Sequence, residues 1–170
     1  YNAAGGYLSI CAGIKGYNVT VTNGAQSGLQ SVAYAMQVMR NGWEDAMLAT
    51  GTDENSAIIS ELYHGLGLVA DTHVLPYEGK KQFSLSDGSI SLLTETEASA
   101  NARGARVYCH IAGYGMAHES VPFGTVKGSG QGLANAISSA FVDAGVRPEE
   151  IDAVIGFANG EGSVDAAEAE

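Results

Sequence analysis

The sequence predicts a layered α/β fold, and three observations carry that reading. β-branched Val19-Thr20-Val21-Thr22 runs into a glycine-bracketed turn and then a helix-period segment. A second short apolar run, Asp45 to Gly51, follows that helix, so strand, helix and strand succeed one another as in a βαβ-like unit. The same alternation of apolar runs and amphipathic segments returns near the end, where Gln131–Ala144 precedes Ile151–Phe157.

In chain order, residues 3–13 are small and apolar and read as the end of a buried helix feeding the strand at Val19. Four consecutive β-branched residues give Val19–Thr22 the composition of a strand buried on both faces. Gly24 and Gly28 bracket the elbow, with Gln26 between them, and apolar residues at 29, 32, 33, 36 and 39 then mark one helix face ended by Asn41-Gly42. Ser56–Tyr63 reads as a short helix and Gly65–Glu78 as an irregular segment. Strict alternation over Phe83–Gly88, which turns into Ser89–Thr94, predicts a half-buried strand in that first part, and Thr96–Arg103 reads as a short helix closed by Gly104. Arg106–Met116 alternates and is rich in β-branched and aromatic residues, which predicts a long strand. Apolar positions 133, 136, 137, 140 and 141 predict a helix over Gln131–Ala144 ended by Gly145. After the turn at Val146–Glu150, Ile151–Phe157 reads as another buried strand running into a second glycine turn, Ala158 to Ser163. Paired glycine turns after buried strands often converge on one site.

With 170 residues, one domain is the default. Eight basic against 19 acidic residues, a net charge of −11, leave no basic stripe to neutralise phosphates, which argues against nucleic acid and anionic membranes as partners. No apolar run is long enough to span a bilayer, and Cys11 and Cys109 show neither a disulfide framework nor metal-ligand spacing. The expected setting is cytoplasmic, with two reduced structural thiols.

The elbow at 19–29, the run at 46–51, the Phe83–Thr94 stretch, the Asn101-Ala102-Arg103-Gly104 link into Gly113-Tyr114-Gly115-Met116, and the Asn159 turn together resemble the β-ketoacyl-ACP synthases of the thiolase fold. The resemblance runs in one register along essentially the whole chain. It implies a thiolase-like layered αβαβα fold, of which this chain covers roughly the middle portion. Family chains are more than twice as long, so residues 1–80 stand for part of the N-terminal half and 81–170 for part of the C-terminal half, an incomplete ketosynthase-like domain. The family's second catalytic histidine, a lysine and a glycine-rich loop fall beyond Glu170.

In the family a cysteine at the elbow carries the acyl chain, and a first histidine in a His-Gly-Thr-Gly-type turn helps to decarboxylate the malonyl extender. The resemblance places Gln26 at the cysteine position and Asn159 at that histidine. Gln26 has no ionisable nucleophile, and Asn159 can donate a hydrogen bond but cannot shuttle a proton near neutral pH. No catalytic residue is therefore expected, and no metal or cofactor. Relatives with glutamine at the elbow are of two kinds. One is the catalytically degenerate chain-length factor, which pairs with an active ketosynthase and shapes the cavity for a polyketide or polyene. The other is a malonyl-ACP decarboxylase that supplies an acetyl primer and keeps its histidines. Loss of the first histidine at Asn159 favours the chain-length factor, and a relative decayed into a scaffold is a third reading.

The resemblance further assigns Val19, Thr20, Val21 and Thr22 to the interface of a heterodimer with the active ketosynthase, paired antiparallel with their counterpart. Acyl carrier protein, itself acidic, is then met through the complex, by way of the more basic partner. Gln26 also has a purely structural reading as a helix-start residue. His64, His73, His110 and His118 lie on neither glycine turn, with His110 expected on a sheet and His118 in a loop. Glu161 stands where the family has threonine and reads as a solvated or capping residue, and Glu168 matches a family glutamate that supports the turn. Asp165 follows Asn159 about two residues sooner than in the family, which alters the expected turn.

Overall fold

The computed structural model describes residues 3–79, 82–119 and 129–169. Two compact units are present: Tyr1–Asp53 with Asp87–Ile111, and Glu54–Ser86 with Ala112–Glu170.

In the first unit, α1 (Ala3–Ala12) precedes the elbow, α2 (Ser27–Arg40) follows it, and β1 (Ala46–Asp53) pairs with β2 (Gly88–Glu95) before α4 (Glu97–Ala102). β1 and β2 are antiparallel, in register from Ala46 opposite Glu95 to Asp53 opposite Gly88. Polar pairs stitch the ladder: Thr50 and Ser91 hydroxyls lie 2.8 Å apart, and Thr94 Oγ1 donates to the Met47 carbonyl at 3.0 Å. The core is small-residue packing of α2 on this strand pair, with Ala33, Ala35, Met36 and Val38 buried along with Ala49 and Ala100. Glycines permit the approach, because a Cβ on Gly51 would lie only 3.1 Å from the Gly28 Cα. Thr96 caps α4 by accepting the Ser99 N–H, and Arg103 at its end forms a charge-assisted pair with Glu95. That pairing holds the Glu95 carboxyl below its ordinary pKa.

The second unit contains α3 (Ala57–Gly65), α5 (Gln131–Ala144), a 3-10 turn at Pro148–Glu150 and α6 (Gly162–Ala169). Ser56 caps α3. Tyr63 and Phe83 meet edge to face with centroids 5.5 Å apart, beside a bridge between Val69 and Phe83. Glu119 caps α5: it accepts the Ser129 N–H and hydroxyl at 2.8 Å each and the Gly132 N–H at 2.6 Å. Those donors hold its carboxyl below the ordinary range.

Several expected elements differ. Val19–Thr22 joins no ladder among the described residues, and Val19 is 50% exposed rather than buried on both faces. The expected βαβ-like unit is therefore replaced by an antiparallel β1–β2 pair. Among the described residues Arg106–Met116 and Ile151–Phe157 also join no ladder, and Ile155 is 99% exposed. Strand composition favours extended backbone, but a ladder also needs a neighbouring strand, and among the described residues none pairs with these segments. Gly113 and Gly115 instead lie against α5, where a Cβ on Gly115 would approach the Ala140 nitrogen to 2.7 Å. α1 forms as expected but buries no residue, and both cysteines are free and exposed rather than structural. Phe83–Ser86 contributes a single bridge, the strand proper starting at Gly88.

Candidate functional site

The elbow is built by its own backbone. Gly24 takes φ +59°, and the Ser27 hydroxyl ties the turn by donating to the Gly24 carbonyl and accepting the Asn23 N–H, both at 2.7 Å. Gln26 is the N-cap residue of α2 and is exposed, its carbonyl accepting the Gln30 N–H at 2.9 Å while its side chain makes no capping bond. Ala25 and Gln26, the two residues between Gly24 and Ser27, offer a methyl and a neutral amide. Neither can form a thioester at this point. Ser27, Gly28, Ser31 and Tyr34 line a cavity of about 540 Å³ together with Val19–Val21 and Ala46–Thr52. Gln26 stands outside that lining.

The Asn159 turn is held by three carboxylates. Ala158 has φ +47°, an uncommon conformation for a residue with a Cβ, and buried Gly160 has φ +88°. A Cβ on Gly160 would overlap the Val74 side chain. Asp165, 1% exposed, accepts the Tyr77 N–H through Oδ2 at 2.6 Å and the Gly160 N–H through Oδ1 at 3.3 Å. Glu168 takes the Phe157 N–H on one oxygen, and the Ala158 N–H at 2.9 Å and Tyr77 hydroxyl at 3.0 Å on the other. Burial opposes the Glu168 charge, but the two amides and the phenol outweigh it and hold its pKa below the ordinary value. The same bond to Glu168 is the main cause raising the Tyr77 pKa. Glu161, 3% exposed, caps α6 by accepting the Ser163 N–H at 3.0 Å, the Val164 N–H at 2.9 Å and the Ser163 hydroxyl. Glu161 is thus a capping residue, and a buried one rather than solvated. Asn159 Oδ1 accepts the Glu161 N–H at 2.9 Å.

His64, His73, His110 and His118 are all exposed, and among the described residues His110 lies in no strand, so it is neither a core nor a sheet-face residue. His118 adjoins Glu119 and favours its charged form. Among the described residues, no group of three or more histidine, cysteine or acidic side chains could hold a metal ion. Two residues of the turn network, Tyr77 and Asp165 as its anchor, escaped the sequence reading. The i, i+3 spacing of Asp165 and Glu168 on one helix face was the available signal.

Family models match almost the whole chain: the beta-ketoacyl synthase N-terminal domain over residues 1–97 and the C-terminal domain over residues 108–170. 3-oxoacyl-[acyl-carrier-protein] synthase 2 of Vibrio cholerae is 29% identical over 170 residues, which is 95% of this chain and 40% of that protein. The Staphylococcus aureus protein of the same name is 30% identical over 155 residues, 87% of this chain and 38% of the relative. The chain thus spans about two fifths of the length of these curated relatives. A type II PKS acyl-carrier protein in complex with its ketosynthase bound to the hexaketide superposes with TM-score 0.92 at 21% identity, over 99% of this chain and 44% of that one. A beta-ketoacyl synthase from Burkholderia phymatum gives TM-score 0.89 at 23% identity, over 99% and 42%. The ishigamide ketosynthase/chain length factor gives 0.76 at 30% identity, over 84% and 35%. The fold is therefore the thiolase-like ketosynthase fold, of which this chain is a part.

Proposed function

The chain belongs to the beta-ketoacyl synthase family, and from that premise we propose that it is a catalytically degenerate, chain-length-factor-like subunit. In this reading it pairs with an active ketosynthase, meets acyl carrier protein through that complex, and helps to shape the cavity for a polyketide or polyene chain. One observation carries the reading: the elbow from Asn23 to Gly28 holds no thiol, and the second turn presents Asn159. Without a thiol there is no thioester-linked acyl-enzyme, and without an imidazole at 159 there is no proton relay at that turn. The likeness to the ishigamide ketosynthase/chain length factor supports it, at 30% identity. Val19–Thr22 supports the partner: an exposed β-branched segment of this kind is stabilised by pairing with another chain.

The rival reading, a glutamine-type malonyl-ACP decarboxylase, draws on the uncommitted Gln26 amide, which is free to polarise a thioester. Incubation of the full-length protein with acyl- and malonyl-loaded carrier protein separates the two. We expect no mass increase on the protein and no CO₂ release. Release of CO₂ that disappears in Gln26→Ala would establish the decarboxylase instead. A cysteine placed at position 26, and separately at 25, identifies the elbow residue that occupies the nucleophile's point, since only a thiol there becomes acylated.

A further inference from the structure

Three Asn-Gly pairs occur in the chain: Asn23-Gly24, Asn41-Gly42 and Asn159-Gly160. Such a pair is intrinsically reactive. Glycine has no side chain to shield its backbone nitrogen, which lies one ring closure from the side-chain carbonyl carbon of the preceding asparagine. Whether a given pair reacts depends on its surroundings: the nitrogen must be free of a hydrogen bond and reachable by water, and the asparagine amide must be free to turn.

Two of the pairs are locked. At the end of α2 the Gly42 N–H donates to the Met39 carbonyl at 2.9 Å, and Asn41 Nδ2 donates to the Gln37 carbonyl at 2.9 Å. In the second turn Gly160 is buried, its N–H donates to Asp165 at 3.3 Å, and Asn159 Oδ1 accepts the Glu161 N–H at 2.9 Å. The elbow differs. Asn23 and Gly24 are both exposed, and a Cβ on Gly24 would meet nothing within 4 Å. Ser27 holds the turn from its outer sides, accepting the Asn23 N–H and donating to the Gly24 carbonyl. The Gly24 N–H and the Asn23 side-chain amide have no hydrogen-bond partner among the described residues.

We infer that Asn23 is a self-modification site, at which the Gly24 backbone nitrogen attacks the Asn23 side-chain carbonyl carbon. The new carbon–nitrogen bond closes a five-membered succinimide. The Cγ–Nδ2 bond breaks, and ammonia leaves with the proton that the Gly24 nitrogen gives up. Water then opens one of the two ring carbonyls, leaving aspartate or isoaspartate at position 23. Either product places a new negative charge on the N-terminal side of α2, where the helix dipole favours an anion. Isoaspartate also adds a backbone carbon between Val19–Thr22 and the elbow, which changes how that extended segment is presented to a partner strand. The site needs no partner and does not depend on the ketosynthase reading.

The test incubates the full-length protein at neutral and alkaline pH, digests it under mildly acidic conditions and maps the peptides by mass spectrometry. Exchange of NH₂ for OH reads as a mass gain at each Asn-Gly peptide, and chromatography separates isoaspartate from aspartate. The Asn23 peptide should change about fivefold to tenfold faster than those of Asn41 and Asn159, whose glycine nitrogens must first break a hydrogen bond. Its rate should rise with pH, because the Gly24 nitrogen attacks only after losing its proton. In concentrated urea the three pairs should react at similar rates, which ties the difference to the folded structure. A rate at Asn23 in the folded protein no greater than that at Asn41 or Asn159, or the same preference for Asn23 in urea, overturns the inference.

Discussion

Replacing Asp165 by asparagine isolates the brace on which the second turn depends. The side chain is almost wholly buried and has two backbone clients, Tyr77 N–H at 2.6 Å and Gly160 N–H at 3.3 Å. Asparagine fits the same space but keeps only one oxygen, so one client must face an NH₂ group. The shorter bond to Tyr77 should retain the oxygen, leaving the Gly160 amide, which is buried, without an acceptor. An orphaned buried donor costs about 1–3 kcal/mol, and loss of the charge from the remaining bond costs roughly 1 kcal/mol more. The expected destabilisation is thus about 2–4 kcal/mol, a large share of the ~5–15 kcal/mol typical of a folded domain. Urea titration of the full-length protein gives the energy, and amide hydrogen exchange gives the location. Exchange should accelerate at Gly160 before Tyr77. A loss below about 0.5 kcal/mol with unchanged exchange at both amides would refute the role assigned to Asp165.

Two further outcomes follow from the same reasoning. Gly51→Ala should destabilise by roughly 1–2 kcal/mol, because its Cβ would press on the Gly28 Cα at 3.1 Å, whereas Gly28→Ala meets Gly51 at an ordinary 3.5 Å and should be tolerated in thermal unfolding. Glu168 has a lowered pKa in the folded state, so its stabilisation is fully present above the ordinary value of 4.5 and is lost as pH falls through the folded value. Denaturation midpoints of the native protein should therefore fall more steeply in acid than those of Glu168→Gln, and parallel curves would contradict the bonding described.

The helices were legible because their signals are local. The bounds of α5, Gln131 and Ala144, follow from apolar periodicity and from Gly145, which takes φ +67° as the left-handed end of that helix. Ser56 and Thr96 announce α3 and α4 by the same kind of local chemistry. Strands were less legible, since pairing depends on a distant neighbour: the alternation over Phe83–Gly88 lies just before the strand that pairs with β1, Gly88–Glu95, while Val19–Thr22 joins no ladder among the described residues. α6 was missed because Gly162–Ala169 carries no apolar stripe and begins at a buried glutamate cap rather than a serine or aspartate. The elbow was visible from its glycines, because a tight turn at a helix start is a local signal. The brace on the Asn159 turn was not, because Tyr77 lies 88 residues from Asp165 and 91 from Glu168 along the chain. Nothing in the sequence near Tyr77 signals that its backbone N–H and its hydroxyl serve two carboxylates of one helix.

The most direct test of the proposed role is the native mass of the full-length protein co-expressed with an active ketosynthase of its own system. A stable one-to-one heterodimer, lost when Val19 and Val21 are replaced by lysine, is the predicted result. A homodimer that forms with or without the ketosynthase and survives those substitutions would contradict it.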